Sequence, residues 1–237
     1  MPIAIGGSVG RGGRNVPEDV LAVKRRFVEL GFEFFPINGQ VDSGLMTAIR
    51  LFQSILAGRN TVLGIDGRID ANGATIRFLG AANAPHWRTM PLDGPGFVNF
   101  EAQQLNDHHD FGTSWLADTI IGAAEKYQNE FRRTKPGSAP MAINDVSLPK
   151  GGDTPQHAGH ETGLACDIRL PRKDGQTGGI ENPNTNSAYD REAARAQLQG
   201  HSCTTVVQSS VLQRSSPHQR RTVPAARGPQ QPHPLRG

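Results

Sequence analysis

Between residues 16 and 80, apolar side chains recur at helical spacing three times, and each run ends at a glycine. In PEDVLAVKRRFVELGF, Val20, Val23, Phe27 and Leu30 share one face, with Lys24, Arg25 and Arg26 largely away from it. Pro17 suits a first-turn position, Glu18 and Asp19 favour the positive end of the helix dipole, and Gly31 supplies the stop. SGLMTAIRLFQSILAG repeats the pattern with Leu45, Ile49, Phe52 and Leu56 and ends at Gly58. ANGATIRFLG is a shorter third helix closed by Gly80. The junctions before the second and third helices echo one another. NGQVDSGLMTAIR from Asn38 and DGRIDANGATIR from Asp66 each run from an Asx-Gly turn through an apolar residue and an Asp to a Thr. Asx-Gly is strong turn chemistry, and Asp or Ser ahead of a helix caps it. Two copies are too few for a solenoid, so the pattern predicts one small helical unit.

The rest of the chain is less periodic. Aromatic residues make up 6% of the 237, which is lean for one large core, and 28 Gly and 17 Pro imply many turns. No window is apolar enough for a membrane span. The first twenty residues lack the basic and apolar regions of a signal peptide, so a target outside the cytoplasm would require some other means of delivery. Cys166 and Cys203 stand far apart in unlike contexts, which supports neither a disulfide framework nor a cysteine-rich zinc site. The formal charge of +3 is a property of the tail: five arginines and no acid follow Gly200, whereas the preceding residues hold 20 basic against 22 acidic side chains. That distribution offers no broad basic face to nucleic acid, and the tail lacks aromatics for stacking on bases.

Residues 81–110 read as a linker, with Pro, Gly and Asn recurring without period. His108 and His109 could bind metal, but adjacent side chains diverge on most backbones, and an exposed polar turn is the plainer reading. Thr113 is placed to cap a long helix, SWLADTIIGAAEKYQNEFRR, with Trp115, Ile120, Ala123, Ala124 and Tyr127 compatible with a buried face. MAINDVSL and LACDIRL read as strands. Between them, His160 precedes Asp167 by seven positions, and Gly163 allows the intervening loop to turn tightly. Imidazole and carboxylate are both zinc ligands and could converge on one ion. On spacing alone, a capped loop feeding a strand, with His160 an ordinary polar residue, is the favoured reading. Cys166 faces away from Asp167 on such a strand and reads as packing.

Two runs resemble known families. INGQVDSGLMTAIRLFQ is similar to the signature of the three-helix peptidoglycan-binding domain, over about residues 7–80. NDVSLPKGGDTPQHAGHETGLACDI resembles the penicillin-insensitive murein endopeptidases and related zinc D,D-peptidases. Asp145, Ser147, Gly151, Gly152, Pro155, His157, His160, Gly163, Asp167 and Ile168 match that motif in order. The resemblance implies an α+β fold: an N-terminal three-helix bundle (7–80), then an incomplete zinc D,D-peptidase-like domain with an antiparallel sheet (111–199), then a basic disordered tail (200–237). It implies His160 and Asp167 as ligands of Zn2+, and His157 near the metal, where it could orient water or substrate. Asp145, Ser147 and Lys150 become candidates for substrate contact, although an exposed loop lysine is the plainer reading of Lys150. The partner implied is peptidoglycan (murein), and the place of action the cell wall. The third zinc ligand and a proton-transfer group are expected from a later His-x-His, which does not occur after Asp167.

The break in composition near Gly200 suggests a shifted reading frame. GPQQPHPLRG (228–237), back-translated with permitted codons and read one base later, gives GHNNHIHFE, which restores a His-x-His. The expected function is a peptidoglycan-binding zinc metallopeptidase that cleaves murein peptides, impaired in this chain by the missing His-x-His. The alternative is a non-catalytic peptidoglycan-binding protein with a decayed peptidase domain. Nucleotide sequencing across codons 190–237 and beyond is expected to show one extra base, or two lost, close to codon 200. An undisturbed frame overturns the expectation and favours the alternative.

Overall fold

The computed structural model describes residues 3–105, 107–153 and 159–200. His157 and the tail from residue 201, including the expected frame change, lie outside the described residues. The fold mixes helices with short strands. Its first part is built from α1 (Pro17–Glu29), α2 (Ser43–Leu56) and α3 (Ala74–Leu79), with β1 (Val9–Gly10) antiparallel to β2 (Arg68–Ile69). The apolar faces expected for α1 and α2 are buried: Val20, Val23, Phe27, Leu30, Leu45, Ile49 and Phe52 enter one hydrophobic cluster, and Leu56 packs at its margin. Phe27, Phe32 and Phe52 meet edge to face at its centre, an arrangement aromatic quadrupoles favour. Asp42 caps α2 by accepting from the Leu45 N–H at 2.9 Å. The echoing Asp70 does not cap α3, whose cap position is Gly73 with no side-chain bond.

Lys24 departs from the sequence reading. It is fully buried rather than turned to solvent. Its ammonium donates to the Pro36 carbonyl (3.0 Å), to Asn38 Oδ1 (2.9 Å) and to the Asp42 carboxylate. Three acceptors use all three ammonium hydrogens, which is what a buried lysine requires. Burial opposes ionisation of Asp42, but the Lys24 bond and charge and the Leu45 N–H outweigh it and hold its carboxyl below the usual range. One carboxylate therefore both caps α2 and neutralises the cation under the Asn38 turn.

Residues 81–110, read as a linker from composition, carry three strands: β3 (Trp87–Thr89), β4 (Asp93–Gly94) and β5 (Phe97–Asn99). β3 pairs antiparallel with β6 (Phe111–Thr113). A four-stranded sheet runs β4-β5-β7-β8, where β7 is Met141–Ile143 and β8 is Ile168–Arg169. Its pairings are antiparallel except for β5 with β7, which is parallel. The sheet is thus mixed where an antiparallel one was expected, because α4 (Ser114–Tyr127) and the π-helical turn after it carry the chain back between β5 and β7. A parallel pair needs such a crossover. Thr113 caps α4 by accepting from the Leu116 N–H at 3.1 Å. Ile120, Ala123, Ala124 and Tyr127 are buried as expected, but Trp115 is 36% exposed. Its indole N–H donates to the Asn83 carbonyl at the surface. α5 (Arg191–Gly200) packs on α4 through Ala193 and Ala194, and Asp190 accepts from its first-turn N–H groups. No described helix is long and apolar enough to cross a membrane.

Removing one partner of a buried ion pair leaves an uncompensated charge or unfilled acceptors. Lys24→Ala is therefore expected to lower unfolding free energy by about 3–5 kcal/mol. Urea denaturation measures it, and a loss under about 1 kcal/mol, typical of a solvated pair, contradicts the assignment.

Candidate functional site

The site is organised by the extended segment that leaves β7, residues 144–147. On one side it pairs with the strand-like run before β8: the Asn144 N–H donates to the Asp167 carbonyl and the Asp167 N–H to the Asp145 carbonyl, both at 2.8 Å. On the other side, the Val146 and Ser147 N–H groups donate to the His109 carbonyl (2.6 and 3.1 Å), and the Phe111 N–H donates to the Ser147 carbonyl (3.1 Å). Asp145 therefore lies between a loop bearing His109 and a loop bearing His160 and Asp167.

On the second loop, His160 is 6% exposed. Its Nδ1 lies 2.8 Å from the Val146 carbonyl, a contact that places the N–H on Nδ1. Nε2 is left facing Asp167 Oδ1 at 3.6 Å. Burial disfavours the imidazolium, but the bond and charge of Asp167, the Val146 carbonyl and the charge of Asp145 outweigh it and raise the His160 pKa above its ordinary value. Gly163 makes the tight turn expected of it, with φ +60°. A Cβ there would fall 2.5 Å from Gly112 Cα and 2.7 Å from the Trp87 ring, so the loop closes only over glycine. Cys166 is buried among Met90, Phe97, Met141 and their neighbours, which fits the packing role read from sequence. Burial, followed by the charge of Asp167, pushes its thiol up to about 12.

The remaining candidates are spread around this pair. Asp145 and Ser147 are buried, whereas Lys150 is exposed. His157 lies outside the described residues, so its expected place near a metal is not part of this geometry.

On the first loop the sequence reading missed a cluster. His109, read with His108 as an exposed polar turn, is half-buried. Its Nδ1 lies 3.3 Å from Asp107 Oδ1 and 3.5 Å from Asp145 Oδ1. The donor atoms of Asp107, His109 and Asp145 all lie within 4.8 Å of one another, as in a group able to hold a metal ion. His108 takes φ +69°, a left-handed turn that separates the two adjacent imidazoles. Beneath the loop lies Glu101, fully buried, with Oε1 accepting from the Asp107 (3.2 Å) and His109 (3.4 Å) N–H groups. Burial, then the bond and charge of the Asp107 carboxyl, push Glu101 up to about 7. The bond with Glu101, ahead of an opposing effect of burial, holds Asp107 below its usual range. The only local signal was the Asp-x-His spelling of 107–109, since Glu101 and Asp145 meet it through the fold.

Other charges complete the surroundings. Arg169 Nη1 donates to Asn144 Oδ1 at 3.2 Å, its guanidinium lies 3.8 Å above the Phe100 ring, and its charge acts on Asp145. The site also touches the helical part. The Glu161 carboxylate accepts from the Thr61 hydroxyl and the Val62 N–H, both at 3.0 Å, and the Thr162 hydroxyl donates to the Arg59 carbonyl at 2.7 Å. No protein-family model matches the chain, and no curated protein matches it either.

Glu101 generates a pH prediction for the metal-free protein. Its folded pKa of about 7 exceeds its unfolded value, so the folded state holds the extra proton between the two. That stabilisation is complete below the unfolded pKa and is lost as pH rises to about 7. Glu101→Gln keeps an acceptor for the two N–H groups without the titration. In chelator-treated protein it is expected to be less sensitive to pH between about 4.5 and 7 than the parent, and more stable at pH 8. Thermal melts across that range check it, and parallel profiles for the two proteins contradict it.

Proposed function

We propose that this chain is a cell-wall protein of the zinc D,D-peptidase type, with a peptidoglycan-binding module at residues 7–80 and impaired hydrolysis of murein peptides. The observation that carries the reading is the disposition of His160 and Asp167. With Nδ1 engaged by Val146, His160 turns Nε2 toward Asp167 Oδ1 at 3.6 Å. Two ligand atoms on a tetrahedral zinc with bonds of about 2.05 Å lie about 3.3 Å apart. A small closure of the pair would meet that spacing. The backing carbonyl is the kind of outer partner that fixes the tautomer and raises the basicity of a ligating histidine.

Among the described residues the donors fit zinc in kind but fall one short in number: catalytic zinc sites of this class use three protein ligands and an open position. His160 and Asp167 would hold the ion from the loop closed by Gly163. When bound, zinc supplies a polarised carbonyl and a water of lowered pKa. Asp145 bonds the Asp167 backbone and reinforces the charge facing His160. Lys150, exposed on the preceding turn, is available to a substrate carboxylate. The helical part would raise local substrate concentration by tethering, without adding chemistry. Action at the cell wall then requires a delivery route such as a holin.

The shortage of ligands favours a second reading, in which the protein binds murein and does not cut it. Both readings are tested on the full chain with purified sacculi. Co-sedimentation with sacculi is expected, as is weak zinc retention through dialysis. Any release of muropeptides is expected to stop with chelator and with His160→Ala or Asp167→Asn. Those two variants are expected to lose more affinity for zinc than the roughly 10–100-fold that follows loss of a supporting bond. Sedimentation without any hydrolysis selects the second reading, and failure to sediment overturns both.

A further inference from the structure

We propose that Asp107, His109 and Asp145, backed by Glu101, form a binding site for a divalent cation of the Mn2+ class, separate from the His160–Asp167 pair. This inference does not rest on the peptidase reading. His109 Nδ1 stands 3.3 Å from one carboxylate oxygen and 3.5 Å from another. A single ring N–H serves one acceptor best at about 2.7–3.2 Å, and both spacings are longer than that. Both match the separation of neighbouring ligand atoms around one ion, about 2.8–3.6 Å for bonds of 2.0–2.2 Å at angles between octahedral and tetrahedral. All three donor atoms fall within 4.8 Å, which leaves room for one cation in contact with each.

Glu101 supplies an independent observation. It is fully buried, and its Oε2 has no hydrogen-bond partner among the described residues. Its Oε1 is occupied by the N–H groups of Asp107 and His109, and its carboxyl abuts that of Asp107. A carboxylate oxygen buried beside another carboxylate is costly unless a proton or a cation lies nearby, and a cation at this cluster would serve in place of the proton. Asp107 is the open side of the cluster, with its side chain 53% exposed, whereas His109 and Asp145 are 15% and 10% exposed. An ion can therefore enter past Asp107 and keep water on that face. Carboxylates with one imidazole and retained water suit Mn2+ better than a thiolate-seeking metal.

The backbone gives such an ion a structural consequence. The His109 carbonyl binds the N–H groups of Val146 and Ser147, and the Val146 carbonyl holds His160. A cation bridging 107–109 to Asp145 would fix the segment that positions both His160 and Asp167.

The test uses the full chain, stripped with chelator and titrated with Mn2+ alone, with free Mn2+ followed by electron paramagnetic resonance and stability by thermal melts. One saturable site is expected in the parent and in His160→Ala, with Mn2+ raising the melting temperature of both. Asp107→Asn and His109→Gln are each expected to weaken binding at least about tenfold and to lose the thermal shift. Asp107 is exposed enough that its amide should leave the fold intact, which the metal-free melt verifies. No saturable Mn2+ site in the parent overturns the proposal. So does binding that is lost in His160→Ala but survives in Asp107→Asn, which assigns the ion to the other pair. Neither outcome depends on whether the chain cleaves murein.

Discussion

Trp87 ties the helical cluster to the segments around the candidate site. Its N–H donates to the Leu30 carbonyl at 2.8 Å, just past the end of α1. Its ring stacks on Phe32 with centroids 5.9 Å apart. Its indole N–H donates to the Pro149 carbonyl at 2.8 Å, and its backbone pairs with Thr113 at the start of α4. One side chain thus packs in the helical cluster while holding the turn just before Lys150 and the loop that carries His160. Gly31 and Gly163 are required by the same contact. At Gly31 a Cβ would fall 2.1 Å from the Trp87 carbonyl, and at Gly163 it would enter the Trp87 ring. An aromatic that fills a core with its ring and satisfies its N–H at the edge suits this position.

From that joint the site follows by backbone pairing. Residues 144–147 are held on both sides by main-chain hydrogen bonds, so Asp145 is fixed between two loops distant in sequence. The His160–Asp167 pair and the Asp107–His109–Asp145 cluster are the two flanks of one extended segment. Carboxylates are set beside polar partners: Asp167 Oδ1 near His160 Nε2, Asp107 Oδ1 near His109 Nδ1 with the Glu101 carboxyl beneath it, and, in the helical part, Asp42 against the Lys24 ammonium. Buried polar groups in such low-dielectric surroundings either find partners or shift their proton equilibria, and Glu101 shows the second outcome.

The sequence alone determined α1, α2, most of α4 and the loop geometry at Gly163. Each depends on residues within a few positions of one another: apolar spacing on a helix face, caps at Asp42 and Thr113, and a glycine where the chain must turn. The approach of His160 to Asp167 was suggested by the resemblance of the motif around them and not by their spacing, which a capped loop explains as well or better. Tertiary structure alone decided what crosses the chain. Lys24 is buried because the Asn38 turn and Asp42 fold over α1, which no helical wheel reveals. Residues 81–110 form strands of two or three residues, too short to show a period, and are ordered by pairing with β6 and β7. His109 gained carboxylate neighbours because Asp145 arrives from 36 positions away and Glu101 closes the floor beneath it. Local patterns specify elements, but a metal-binding geometry needs donors from several elements at once, and only packing sets their separation.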